Sequence, residues 1–399
     1  MRLVITGASG FVGQSLVPLL AEAGVQLLLV GRDQAKLAAL FPHIQSCGYG
    51  DLEQRAQGWD LLLHLVVANT DAKLDRPGFM RVNADFLIEV AGKARQAGIG
   101  RLINISSTHA LDEANQGAYA ESKRQAARQL ASVSGLNVTT IYLPAVHGER
   151  WSGRLKLLNR LPGWLAHGLF GVLAMLKPTV HVRRLADFIL AGEFPDPSTE
   201  LILSDDQQAN PWFVVSKRFI DLAVAVSVFA LLWWAMALIW AIVRLQSPGP
   251  GIFAQDRVGR NGREFVCYKF RTMELGTRQA GTHEVSAAAI TPFGRFLRAT
   301  KLDELPQAWN ILRNEMSLVG PRPCLPTQTA LIAARQRLGV LGAKPGITGL
   351  AQINGIDMSD PERLARWDAR YLALQSLRLD ITIGLATLIG RGQGDKVAQ

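Results

Sequence analysis

The sequence predicts an α/β protein in three parts: a doubly wound parallel sheet, a membrane-inserted, re-entrant helix, and a small, mainly helical α+β domain with helices at the membrane interface. Three observations carry this. Short apolar β-type runs alternate with helical patterns over residues 1–204, a stretch of 22 residues (222–243) is apolar but for Ser227, and positive charge collects after that stretch. The boundaries read as 1–204, a polar linker at 205–216, the membrane element at 217–246 and a final domain at 247–399. With 48% hydrophobic and 19% charged residues among 399, the chain is neither disordered nor fibrous. Three cysteines without a CxxC pair exclude a disulfide scaffold or a cysteine zinc module. Residues 1–210 carry 20 basic against 19 acidic side chains, the remainder 23 against 14, so the second half calls for an anionic partner.

Apolar runs at 3–6, 26–30, 61–65, 102–106 and 138–143, separated by helical patterns such as 11–23, fit a parallel sheet covered on both faces. The first run leads into Thr6-Gly7-Ala8-Ser9-Gly10-Phe11-Val12-Gly13. These glycines permit a tight turn and close backbone approach, and the helix that follows points its N-terminus at a pyrophosphate. Arg32 ends the second run, where an NAD site would want a carboxylate. An arginine there pairs with a 2′-phosphate, favouring NADP(H) over NAD(H), although Asp33 stands beside it. Tyr119 and Lys123 lie four apart on one helix face, where a cation lowers the phenol's pKa toward neutrality, and Ser107 precedes them to hold a substrate oxygen.

This set resembles the extended short-chain dehydrogenases that act on nucleotide sugars, over about residues 1–204. The resemblance implies a Rossmann-like fold. It places cofactor contacts at Gly7, Gly10, Phe11, Val12, Gly13, Arg32, Asp51-Leu52 and Ala68, and catalysis on Ser107, Tyr119 and Lys123. The first reading is an NADP-dependent UDP-sugar 4-ketoreductase, with a UDP-sugar epimerase or a non-catalytic NADP-binding module as the alternatives. Trp164, Leu165 and Leu169 with neighbouring basic residues read equally as an interfacial segment or as a flap on the sheet.

The apolar run is long enough for roughly 30 Å of hydrocarbon. Lys217 and Arg218 precede it and Arg244 follows, so both flanks qualify as cytoplasmic. The chain starts on a strand rather than an export signal, and with its nicotinamide-type motifs the first domain is expected in the cytosol. A helix that enters and leaves on one face then keeps both domains there, with Asp221 pairing with Lys217 or Arg218.

Beyond it the motifs follow in order: Lys217-Arg218-Phe219-Ile220-Asp221, Ser247-Pro248-Gly249-Pro250, Gln255-Asp256-Arg257-Val258-Gly259, Tyr268-Lys269-Phe270-Arg271, Leu302-Asp303-Glu304-Leu305-Pro306, Val319-Gly320-Pro321-Arg322-Pro323 and Pro345-Gly346-Ile347-Thr348-Gly349. Together they resemble the bacterial sugar transferases, monotopic polyprenyl-phosphate phosphoglycosyl transferases, over about residues 211–390. The resemblance implies transfer of a sugar 1-phosphate from a UDP-sugar to undecaprenyl phosphate at the bacterial inner membrane. Asp303 would be the nucleophile, and Glu304 would support it or bind Mg²⁺ alongside Asp303. The phosphates would meet Lys269, Arg271, Arg295, Arg298, Lys301, Arg322 and Lys344. That basic field is expected to lower both carboxyl pKa values. Anionic lipids are expected partners, nucleic acid is not, and a homodimer is compatible with the reading. Two departures stand out. Trp233-Trp234 occupies the place where the family breaks its membrane helix with Ser-Pro, and Lys344 stands where an arginine is usual.

Overall fold

The computed structural model describes residues 1–69, 71–149, 151, 153–195, 200–274 and 290–390. Two compact units emerge, Met1–Gly168 with Pro178–Asp205, and Leu169–Lys177 with the chain from Asp206 onward. The first holds β1 (Arg2–Thr6), β2 (Gln26–Val30), β3 (Gln45–Cys47), β4 (Leu61–His64), β5 (Arg101–Ser107), β6 (Asn137–Leu143) and, after the short parallel pair β7 (Ala145–His147) and β8 (Thr179–His181), β9 (Leu201–Ile202). Seven of these form one parallel sheet in the order β3-β2-β1-β4-β5-β6-β9, as the sequence predicts. Crossover helices cover both faces, so each strand must be apolar on both sides. Val4, Leu28, Leu62 and Leu102 pack with Leu87, Val90 and Leu130 on one face. Leu3, Ile5, Leu29, Leu63 and Ile103 pack with Leu16, Leu20, Leu185 and Ile189 on the other. Thr6 pairs with His64, and Ser107 with Leu143, at the carboxyl ends of their strands, where open α/β sheets place ligands.

The second unit contains an antiparallel hairpin, β10 (Ile252–Val258) and β11 (Glu264–Phe270), and a parallel pair, β12 (Ser317–Val319) and β13 (Gly346–Thr348). Helices Pro292–Thr300, Thr329–Arg337, Pro361–Ala373 and Leu377–Leu388 surround them. Leu169–Lys177 joins this unit through local bonds. Gln207 Nε2 donates to Ala174 O (2.8 Å), Asn210 Nδ2 to Gly171 O (2.9 Å) and Leu377 N to Met175 O (2.8 Å).

The apolar run lies within one helix of 36 residues, Pro211–Gln246, about 54 Å long at 1.5 Å per residue. It starts ahead of position 217 because Pro211 has its φ preset for a first helical position and Asn210 caps Trp212 N at 3.1 Å. The break expected at Trp233-Trp234 is absent, and the helix runs through both residues. Without a proline, no backbone N–H is removed there. Phe213, Asp221, Ala225, Ile239 and Val243 are buried along one stripe, with Val228, Phe229 and Met236 partly buried between them. Ala225 meets Cys267, Ala308 and Ile311, whereas Ile239 and Val243 meet Phe270 and Leu297. Off the stripe the helix stays apolar: its best window has a mean hydropathy of 2.4, and Phe219, Leu231 and Trp233 are 71%, 69% and 65% exposed.

Asp221 does not pair with Lys217 or Arg218. It accepts from Ser317 Oγ (3.1 Å) and Leu318 N (2.9 Å), two aligned donors at β12 that satisfy a carboxylate only 3% exposed. The two cations go elsewhere, Lys217 to Asp380 (2.5 Å) and Val319 O (3.0 Å), Arg218 to Ile311 O (2.8 Å) and Leu312 O (3.2 Å). Asp221→Ala would leave both donors buried and unmet. It is expected to cost about 1–3 kcal/mol, read as a lowered Tm of the detergent-held chain.

Candidate active sites

In the first unit, Gly7 turns the chain at φ +79°, and a Cβ there would lie 2.8 Å from Val66 N. A Cβ on Gly13 would lie 2.5 Å from Ala8 Cα, so the turn packs directly on the helix it opens. That helix starts at Phe11 after Gly10, with no side chain capping its amides. Phe11 and Val12 thus form its first turn, Val12 against the core. An uncapped helix N-terminus behind a glycine turn is a cradle for a diphosphate, and these residues fit a dinucleotide. Arg32 is exposed at the end of β2. Asp33 beside it accepts from Lys36 N (2.9 Å) on Oδ1 as a helix cap, so a cation and an anion both stand just past the strand. Asp51 follows β3 at the start of a short helix, Leu52 points into the core, and Ala68 is fixed by Asn83 through 2.8 and 3.1 Å bonds to its N–H and carbonyl.

Tyr119 bonds to Ser107, so the structure brings the expected serine and tyrosine together. Lys123 lies on the same helix, wholly buried, with Nζ 3.3 Å from Ile105 O. The expected lowering of the tyrosine pKa does not occur. Burial raises it and outweighs the Ser107 bond, while the same desolvation brings Lys123 down to about 8. His64, held by Thr6 Oγ1 at 2.9 Å, is pushed down to about 3 by burial and then by Lys123, so it is a neutral ring.

In the second unit, helix Pro292–Thr300 ends at Lys301, whose left-handed φ of 58° turns the chain into the short 3₁₀ turn Leu302–Glu304. Asp303 is thereby set down 9% exposed. Glu304 Oε1 accepts from Lys269 Nζ (2.9 Å), carried by β11, and from Arg322 Nη1 (3.2 Å) in the Pro321–Pro323 segment. Arg298 and Arg322 act on Asp303, and Lys301 on both carboxylates. Even so, Asp303 is pushed up to about 6, contrary to the expected lowering. Desolvation leads and Glu304 adds to it, outweighing Lys269, Arg298 and Arg322.

Two of the expected phosphate ligands face elsewhere. Arg271, 7% exposed, donates to Pro248 O (2.7 Å), Ser247 O (2.6 Å) and Val243 O (3.4 Å), capping the long helix as basic side chains do at helix ends. Lys344 bonds Asn314 Oδ1 at 2.5 Å and is lowered by burial, with Arg218 its first charged influence. Arg295 is exposed on helix Pro292–Thr300. Sequence reasoning missed the buried pair Arg335–Asp368, each 3% exposed. A signal exists, since Leu331, Ala334 and Arg335, and Leu364, Ala365 and Asp368, fall at helical core spacing, so that one charge interrupts each apolar stripe.

Residues 212–391 match the family described as bacterial sugar transferase, and residues 3–191 the NAD dependent epimerase/dehydratase family. A UDP-glucose:undecaprenyl-phosphate glucose-1-phosphate transferase from Caulobacter vibrioides is 36% identical over 206 residues, 48% of this chain and 76% of that one. The chain belongs to the bacterial sugar transferase family. A transferase of the same description from Xanthomonas campestris pv. campestris is 40% identical over 200 residues, 47% of this chain. The match covers 40% of that relative's length, so this sugar transferase spans well under two thirds of it. A solved structure of the Bordetella bronchiseptica enzyme WbmG in complex with NAD and UDP is 18% identical, with a TM-score of 0.40 over 51% of this chain and 72% of that one.

Proposed function

We propose that the second unit transfers a sugar 1-phosphate from a UDP-sugar to undecaprenyl phosphate and releases UMP. The observation that carries this is a buried aspartate beside a glutamate already oriented by Lys269 and Arg322, with Arg298 and Lys301 around them. The relatives named above act, by their names, on UDP-glucose and undecaprenyl phosphate. An Asp303 oxygen attacks the sugar-bearing β-phosphorus, its bond to the bridging oxygen breaks, and UMP leaves with that electron pair. A polyprenyl phosphate oxygen then attacks the same phosphorus, releasing the carboxylate and forming the diphosphate-linked sugar. The cations offset the charge of the phosphates as they approach. Asp303 and Glu304 would hold Mg²⁺ together with substrate phosphate oxygens, a donor set hard cations prefer. That ion supplies charge neutralisation.

The first unit we read as an NADP(H)-dependent 4-ketoreductase of the nucleotide sugar to be transferred. Tyr119 rests as a neutral phenol, suited to donate a proton to a carbonyl oxygen as the cofactor supplies hydride, with Ser107 holding that oxygen. An exposed Arg32 just past β2 is what supports the 2′-phosphate reading. The long helix supports placement on one face of the inner membrane. Near its start Lys217 bonds Asp380 and Val319 O, and near its end Val243 packs with Phe270 and Leu297, so both ends are held by the same unit. Anionic lipids would meet the basic surface of the second half.

The full chain in nanodiscs with undecaprenyl phosphate and Mg²⁺ is expected to release UMP from at least one of a panel of UDP-sugars. Silence across that panel, with NADPH and 4-keto precursors also supplied, overturns the transferase reading.

A further inference from the structure

Arg322 bonds Glu304 beside the nucleophile, yet it sits between Pro321 and Pro323, which have no N–H to give a β-ladder. Such a segment must be held by its carbonyls, and here four in succession each accept a bond. Pro321 O takes Gly346 N (2.9 Å), Arg322 O takes Arg335 Nη1 (2.9 Å), Pro323 O takes Arg257 Nη1 (3.1 Å) and Cys324 O takes Val258 N (2.9 Å). Two of the donors are therefore guanidinium groups standing in for backbone amides.

Arg335 is itself fixed. Its Nε and Nη2 both reach Asp368 Oδ2, at 3.0 and 2.7 Å, and both residues are 3% exposed. Its third contact falls on the carbonyl of the residue that reaches the catalytic carboxylates. A buried ion pair is weak evidence of stabilisation, because desolvation offsets most of the attraction, so its placement asks for another account. A rigid fork delivering three aimed hydrogen bonds is something lysine cannot replace.

We propose that Arg335, oriented by Asp368, is a positioning residue of the transferase site, holding the Arg322 carbonyl so that the Arg322 guanidinium stays aimed at Glu304 and the transferring phosphate. The inference rests on the transferase reading above. It assigns Arg335 no contact with substrate; Arg335 acts through Arg322. A small displacement of Arg322 then weakens charge stabilisation in the transition state more than it weakens ground-state binding, so kcat suffers more than KM.

The test is a double-mutant cycle on the full chain in nanodiscs, with UMP release as the readout. Arg335→Lys, and separately the charge-free pair Arg335→Met with Asp368→Leu, are each combined with Arg322→Ala. The charge-free pair leaves no orphaned ion and keeps the question answerable where the lysine variant folds poorly; unfolding curves report which is folded. Each change alone is expected to lower kcat on the order of 10²-fold with a smaller change in KM. In the Arg322→Ala background either change is expected to cost no more than about twofold further, because the residue it serves is gone. Multiplicative losses, or a loss confined to KM, overturn the positioning role while leaving the transferase intact. A wild-type chain silent on every UDP-sugar overturns the transferase reading first and this inference with it.

Discussion

Asp303→Asn is expected to stop UMP release, by on the order of 10⁴-fold or more, because an amide cannot displace UMP from phosphorus as a carboxylate does. The same change is expected to make the protein more resistant to heat. Asp303 is 9% exposed and lies beside Glu304, so its ionised form is disfavoured by burial and by a like charge, which raises its pKa to about 6. A neutral isostere removes both penalties. About 1 kcal/mol moves the Tm of a domain this size by roughly 2–4 °C, within reach of a thermal melt in detergent. A dead and stabilised variant is the pattern of a strained functional group. A variant that still releases UMP excludes Asp303 as nucleophile, and one that is inactive and less stable excludes the account of its burial.

The second large effect concerns Lys123 and Tyr119. Burial lowers Lys123 to about 8 from an ordinary 10.5, so below pH 8 the folded protein carries a desolvated ammonium at a cost on the order of 3 kcal/mol. Between pH 8 and 10.5 the folded lysine is neutral while the unfolded one still binds its proton. The unfolded state then holds more protons, and stability rises with pH across that window. Lys123→Met is expected to melt higher at pH 7 and to lack the rise, as followed by urea unfolding at several pH values. A rise that persists in the variant belongs to another group. Tyr119→Phe, by contrast, leaves the fold alone and removes the proton donor. NADPH oxidation with a 4-keto nucleotide sugar is expected to cease while UMP release continues. If all sugar conversion persists, the first unit binds cofactor without using this tyrosine.

What could be read in advance divides by locality. The glycine turn at Gly7–Gly13 and the parallel strands are legible because their determinants are adjacent in the chain, and Asp303-Glu304 because its motif carries it. The direction of the Asp303 and Tyr119 pKa values was not legible, since it depends on how much water each group loses to distant elements. Arg271 reads as a phosphate ligand from its place in the Tyr268–Arg271 motif. Only the folded hairpin reveals that its guanidinium faces the carbonyls at 243, 247 and 248. Asp221 likewise found donors at residues 317 and 318, far along the chain, rather than the lysine on its own helix. Continuity through Trp233-Trp234 was readable in principle from the missing proline, yet the family pattern argued the other way.

The division of the chain bears on how such a fusion can be inherited. The backbone passes between its units three times, at 168–169, 177–178 and 205–206, and the helix Gly163–Ala174 belongs to one unit at its start and to the other at its end. The halves are therefore not cassettes on a string. A recombination that exchanged the first unit at the polar stretch near residue 205 would carry off Leu169–Lys177, leaving Gln207, Asn210 and Leu377 without the backbone partners they bond. Successful exchanges should bring that nine-residue insert along with the transferase, so the border that selection sees is interleaved rather than a single point.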